Sequence, residues 1–194
     1  MFPAGITKLA KLNDSNEKES DKDSDKIVQR KPVLVTVYFE ALCSDSRNFI
    51  LKQLVPTYEK LQDLIGIELV PYGKATTIEK DDTYLFECQH SYIECEANKV
   101  HACVLNQSFS KEVSLRYVAC MIKDNMVPHE AGQKCANELG LDYSPIRECA
   151  NGLEGSRLLK EYGDRTHAIR PKITFIPTIQ INESSDMPLS KGGF

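Results

Sequence analysis

From Lys11 to Lys31 charged and polar residues follow one another with almost no apolar position, and at Val33 the pattern turns into a β-prone run, Val33-Leu-Val-Thr-Val-Tyr-Phe39. The polar stretch cannot bury enough surface to offset its ordering entropy, so residues 1–31 read as a disordered lead and residues 32–194 as the folded domain. A continuous apolar run of this length predicts a central strand buried on both faces. Ile50, Leu51, Leu54, Val55, Tyr58 and Leu61 then recur at helical spacing, with a kink expected at Pro56, and a second strand is predicted over Ile67 to Tyr72. Strand, turn, helix and strand make a βαβ unit. Its first turn lies at the strand's C-terminal end, where α/β proteins place functional groups.

Beyond this unit the period changes. Val113, Tyr117, Cys120 and Met121 follow one helical stripe, and Ala131, Cys135 and Leu139 follow another. Asn125 to Pro128 separates these two helices, and Gly140 is placed to end the second in a left-handed cap. Ser144-Pro145 resembles an N-cap followed by proline at the first helical position, opening a short helix through Cys149. Leu158, Leu159 and Tyr162 suggest another helix, stopped by Gly163. Beta structure is expected again from Ile173 to Ile181, where Pro177 marks an edge or a special turn. The whole is an α/β chain whose later helices cluster between about residues 88 and 163.

Composition narrows the class. The chain has 194 residues, room for one well-packed domain, and a formal net charge of -4 that offers no general attraction to nucleic acid. No apolar run is long enough for a transmembrane helix, so no membrane span is expected. Seven cysteines, six of them between Cys88 and Cys149, point to a disulfide framework in an oxidising compartment with one thiol left over. Asn13-Asp-Ser15, Asn106-Gln-Ser108 and Asn182-Glu-Ser184 fit the N-glycosylation pattern and agree with secretion. The first residues lack the apolar stretch and cleavage site of a signal peptide.

Cys43 carries the candidate chemistry, because it sits between a buried strand and a helix N-terminus, where backbone N–H groups stabilise a thiolate. The polar neighbours Ser44-Asp-Ser-Arg47 argue against full burial, and the Asp45 carboxylate opposes thiolate formation. Helical geometry also constrains the bridges. Cys120 and Cys135 lie about equally far from the midpoint of their hairpin, each on its apolar stripe, and are expected to pair. Cys95 and Cys103 should not pair, since eight residues of helix separate them by about 12 Å of rise. Cys88–Cys95 with Cys103–Cys149, and Cys88–Cys103 with Cys95–Cys149, both remain open. Zinc ligation by Cys88, His90, Cys95 and Cys103 fits no paired-ligand spacing, so no metal is expected. His101 and His167 read as surface or structural histidines whose pH response would matter in an acidic compartment.

Three stretches resemble the gamma-interferon-inducible lysosomal thiol reductases. Tyr38-Phe-Glu-Ala-Leu-Cys43 is similar to the segment leading into that family's redox motif, and Leu69-Val-Pro-Tyr-Gly73 to its second strand. The most specific is Cys88-Gln-His-Ser-Tyr-Ile-Glu-Cys95-Glu-Ala-Asn98 continuing to Cys103, which departs from the family signature only at Ser91, where the family has glycine. The resemblance implies a thioredoxin-like fold with a disulfide-linked helical insertion, a lysosomal or extracellular location, and reduction of protein disulfides under acidic conditions. Cys43 matches the attacking cysteine, whereas Ser46 stands where the resolving cysteine would be. Release of a mixed disulfide then falls to an external thiol such as glutathione or free cysteine, with Ser46 as a hydrogen-bond donor to Cys43. Pro177 matches the proline that thioredoxin-like folds present beside the active cysteine, usually after a cis bond, with Ile176 and Thr178 offering backbone groups to an extended substrate. A non-catalytic binding or thiol-capture protein on the same fold is the alternative. A six-cysteine lipid-binding helical module fits residues 88–163 but leaves the strands unexplained.

Overall fold

A computed structural model describes residues 32–81 and 83–181; the polar lead, Asn13 and Asn182 lie outside the described residues. Strand β1 (Val33–Phe39) leads through Cys43 into α1 (Ser44–Phe49), a π-helical turn (Ile50–Leu54) and α2 (Val55–Leu61), then into β2 (Ile65–Pro71). A hairpin follows, β3 (Thr76–Lys80) and β4 (Thr83–Glu87). Five helices come next: α3 (Tyr92–Leu105), α4 (Lys111–Met121), α5 (Pro128–Glu138), α6 (Ser144–Asn151) and α7 (Leu153–Ala168). The chain then returns to the sheet as β5 (Thr178–Ile181).

Among the described residues the main sheet has the order β2-β1-β5, with β1 parallel to β2 and antiparallel to β5. The β-prone run of β1 is buried on both faces over its C-terminal half, from Thr36 to Phe39. Val37 and Phe39 pack with Ile67 and Leu69 of β2 against Ile50, Leu54, the α4 residues Leu115 and Val118, and Ile122 at its C-cap. Tyr38 and Val70 point the other way and meet Ile176 and Tyr162. A second core lies within the helices, where Val104, Tyr117, Met121, Ala136 and Ile146 are buried together.

Local chemistry explains several boundaries. Pro56 has no N–H to give, and ahead of it the helix widens so that the Val55 N–H donates to the Ile50 carbonyl five residues back, a π turn where a kink was expected. Gly140 (φ +67°) ends α5, with its own N–H on the Asn137 carbonyl and that of Leu141 on Ala136. Ser144 does not cap α6 through its side chain; its N–H donates instead to Asp142 Oδ1 at 2.9 Å. Gly163 does not stop α7 either. It lies inside the helix because a Cβ there would sit 2.6 Å from the Tyr72 ring. The last strand is shorter than expected, with Ile173 to Pro177 outside it. The β3–β4 hairpin was missed altogether, although Thr76-Thr-Ile-Glu-Lys80 and Thr83-Tyr-Leu-Phe-Glu87 are rich in β-formers and flank a turn at Asp81 (φ +51°).

Three bridges staple the helical insertion: Cys88–Cys95, Cys103–Cys149 and Cys120–Cys135. The 5.8 Å between the Cα atoms of Cys120 and Cys135 is what two inward-facing positions at one height on α4 and α5 give. Of the two open pairings for the other four cysteines, the structure adopts the one in which Cys88 reaches the first turn of α3. Loop-closure entropy makes the 46-residue span between Cys103 and Cys149 the most stabilising of the three, at about 4 kcal/mol.

His101 is fully buried, its ring 5.5 Å from that of Phe39, and neither ring nitrogen has a hydrogen-bond partner. Burial lowers its pKa to about 3, so it stays neutral under mildly acidic conditions and does not act as a pH sensor in the folded state. His167 is exposed, with its ring edge-on to Tyr72.

Two predictions follow from this packing. Below the ordinary histidine pKa of about 6.5 the unfolded chain binds a proton that folded His101 refuses, so stability should fall by roughly 1.4 kcal/mol per pH unit down to about pH 3. Urea titrations from pH 7 to pH 4 should show that slope, and it should flatten in His101→Leu. Ser91 caps α3 by accepting the Ile93 N–H, but does so at φ +81°, a backbone region that costs a residue other than glycine about 1–3 kcal/mol. Replacing a serine cap by glycine loses only a few tenths of a kcal/mol. Ser91→Gly should therefore raise the thermal midpoint, and a lower midpoint would contradict the strain.

Candidate active site

At Phe39 the chain leaves the centre of the sheet with both faces covered, and the next four residues, Glu40 to Cys43, must find hydrogen-bond partners where little water reaches. Side chains from distant elements supply them. The Glu40 N–H donates to Ser46 Oγ at 3.3 Å, the Ala41 N–H to Asn98 Oδ1 at 3.0 Å, and the Leu42 N–H to Glu94 Oε2 at 3.2 Å. Asn125 Nδ2 donates to the Ala41 carbonyl at 3.0 Å. Glu94, Asn98 and Ser46 are completely buried, and Asn125 nearly so.

This clamp presents Cys43 as the N-cap residue of α1, half-buried, with its carbonyl accepting the Arg47 N–H. It is the free cysteine among the described residues. The thiol donates to the Ile176 carbonyl, Sγ lying 3.8 Å from the oxygen, and the Ile176-Pro177 peptide bond is cis. The structure thus brings together Cys43, Ser46, Ile176 and Pro177 from the two ends of the described chain. Thr178 belongs to the same segment, but its side chain is buried and donates to the Phe175 carbonyl at 2.6 Å, which leaves only its backbone for any ligand. The Ser46 hydroxyl accepts the Glu40 amide, a role additional to the expected donation to Cys43, since a hydroxyl can accept and donate at once.

A second layer lies behind the clamp. His90 Nδ1 is 2.7 Å from Glu94 Oε2 and 3.6 Å from Glu40 Oε2, and the Lys74 N–H donates to Glu40 Oε1 at 2.7 Å. Burial pushes the Glu40 carboxyl above its ordinary pKa; the Lys74 amide works against this and the nearby Glu94 carboxylate adds to it. Room for Glu40 comes from Gly73 (φ +64°), where a Cβ would sit 2.1 Å from the Glu40 Cγ.

Glu40, Glu94, Asn98 and Asn125 were not among the residues singled out from the sequence. A signal was present for two of them, because Glu94, Asn98 and His101 form a polar stripe at helical spacing on a face otherwise made of Ala97, Val100, Ala102 and Val104. Asn106, the exposed C-cap of α3, bonds Glu154 Oε1 on the far side of the insertion.

Comparison with known proteins adds an independent line. The family model "Gamma interferon inducible lysosomal thiol reductase (GILT)" matches residues 34–139. The Anopheles gambiae gamma-interferon-inducible lysosomal thiol reductase-like protein is 36% identical over 174 residues, covering 82% of this chain and 71% of that one. The Mus musculus gamma-interferon-inducible lysosomal thiol reductase is 34% identical over 154 residues, covering 78% of this chain and 61% of its own length, under two thirds. Among solved structures, Chlamydia trachomatis DsbA superimposes with a TM-score of 0.59 at 16% identity, covering 80% of this chain and 79% of that one. A putative protein disulfide isomerase from Nitrosomonas europaea gives 0.57 at 12% identity, covering 84% and 91%. At such identities the likeness concerns the fold, which is thioredoxin-like with its bridges in the helical region.

The clamp can be tested directly. Asn98→Ala removes the acceptor of a buried N–H, which should cost about 1–3 kcal/mol. Urea unfolding should report that loss, and an unchanged midpoint would mean that the Ala41 amide finds another partner.

Proposed function

This chain belongs to the gamma-interferon-inducible lysosomal thiol reductase family, and on that premise we propose that it is a thiol oxidoreductase that reduces protein disulfides through Cys43. The observation that carries the reading is a half-buried free thiol at a helix N-cap, held against the Ile176 carbonyl beside cis-Pro177. Exposed Phe175, next to Ile176, and exposed Met126 and Val127, next to the clamping Asn125, provide apolar contact for an extended substrate segment.

Ser46 occupies the position of the resolving cysteine in the family's Cys-x-x-Cys motif, so the proposed mechanism is monothiol. The Cys43 thiolate attacks one sulfur of the substrate disulfide, forming a mixed disulfide and expelling the other sulfur as a thiolate that takes up a proton. An external thiol, glutathione or free cysteine, then attacks the Cys43 sulfur and frees the substrate's second thiol. A second external thiol removes the first as its disulfide and restores Cys43. The substrate gains two electrons and two external thiols become one disulfide, with no bound cofactor.

A lysosomal or extracellular setting is proposed with it. The three bridges suit an oxidising compartment, the mouse relative's name is that of a lysosomal protein, and no helix among the described residues is long and apolar enough to cross a membrane. Exposed Asn106 is the proposed glycan acceptor within the described residues.

The test is reduction of a denatured disulfide protein at acidic pH with free cysteine as donor. Wild type should turn over and Cys43→Ser should not; equal rates would favour the alternative of a non-catalytic thiol-capture protein. Ser46→Cys should create an internal redox pair and raise the rate, while losing about 1 kcal/mol of stability with the oxygen acceptor of the Glu40 amide.

A further inference from the structure

The bridges Cys88–Cys95 and Cys103–Cys149 remove three of the four residues that might have held zinc by their sequence, leaving His90 alone with a free donor atom. His90 instead meets two carboxylates. Glu40 and Glu94 are 1% and 0% exposed, and no lysine or arginine side chain among the described residues forms an ion pair with either. Two buried carboxylates facing each other are costly unless a cation or well-placed donors compensate them. His90 Nδ1 bonds Glu94 Oε2 at 2.7 Å but stays 3.6 Å from Glu40 Oε2, which has no hydrogen-bond partner. A buried acceptor is thus left aimed at an imidazole nitrogen and a second carboxylate.

We propose that Glu40, His90 and Glu94 form a site for a divalent transition-metal cation, Zn2+ by donor set, directly behind the loop that carries Cys43. One ligand atom from each residue lies within 4.8 Å of the others. In a tetrahedral site, zinc bonds to nitrogen and carboxylate oxygen of about 2.0–2.2 Å place the ligand atoms about 3.3–3.6 Å apart, so side-chain adjustment on the order of an ångström closes the set and leaves a fourth position for water. The outer carboxylate oxygens are already oriented by backbone donors, Lys74 N–H on Glu40 Oε1 at 2.7 Å and His90 N–H on Glu94 Oε1 at 3.1 Å. Such supporting bonds are what fixes metal ligands in place. The Cys88–Cys95 bridge closes the loop that presents His90, whose side chain is 36% exposed and gives the ion a way in.

Because Glu40 begins the loop and Glu94 also accepts the Leu42 amide, a bound cation would tie both ends of the segment before Cys43. The site needs no thiol chemistry, so it can be tested separately from disulfide reduction. The full chain with its bridges intact and Cys43 alkylated is titrated with ZnCl2 by calorimetry at neutral pH. One cation per chain is expected, with affinity at least about tenfold weaker in His90→Gln and in Glu40→Gln. His90 is partly exposed, so its variant should stay folded, which circular dichroism checks. X-ray absorption should show only nitrogen and oxygen neighbours at about 2.0–2.2 Å and no sulfur near 2.3 Å. The proposal is overturned if the wild type binds no stoichiometric zinc, if His90→Gln binds within tenfold of it, or if sulfur appears in the zinc shell.

Discussion

The rest of the structure depends on satisfying one short piece of backbone. The chain leaves the middle strand at Glu40 while still buried and emerges gradually towards Cys43, so its polar groups have little access to bulk water in between. Leaving one such group unpaired costs about 1–3 kcal/mol, a large part of a domain's net stability. Ser46, Asn98, Glu94 and Asn125 each take one of these groups. Cys43 is held at the mouth of the sheet because the residues before it have been fixed in this way.

That requirement gives the helical insertion its purpose. Glu94 and Asn98 sit one turn apart on α3, and α3 packs on β2, β4, α5, α6 and α7. Cys88–Cys95 holds its first turn and Cys103–Cys149 its last, so the two acceptors are presented from a rigid rod. Gly73 and Gly163 serve the same end by different means. One leaves space for the Glu40 side chain, and the other lets α7 lie directly on the Tyr72 ring. The signature around Cys88 to Cys103 is therefore mostly a device for shaping the thiol loop.

Two serines singled out by the resemblance, Ser46 and Ser91, have distinct physical roles in the structure. Ser46 is buried and supplies an oxygen acceptor to the Glu40 amide, a bond that a thiol would make more weakly. Ser91 caps α3 while adopting a backbone conformation suited to glycine. On the proposed mechanism the first bears on how a mixed disulfide is released; the second bears on the stability of the α3 N-terminus.

Contiguous residues carried the βαβ unit, the placement of Cys43 at a strand-to-helix turn, the helical hairpin and the joining of Cys120 to Cys135, because periodicity and helical rise are properties of neighbours in sequence. The choice between the two pairings of Cys88, Cys95, Cys103 and Cys149 was beyond that reach, since both satisfy the same helical geometry. Gly163 was misread as a stop because only the Tyr72 ring, far away in sequence, explains it. The clamp around the thiol loop was legible only as a polar stripe on α3, without what that stripe faces, for the same reason. Whether Glu94 or Asn98 is a solvated polar residue or a buried acceptor depends on a backbone segment more than 50 residues earlier, 52 in one bond and 57 in the other. Local pattern determined which elements form and where the thiol lies. Only the tertiary structure decided which polar groups are denied water, because desolvation is set by the packing of segments that the sequence keeps apart.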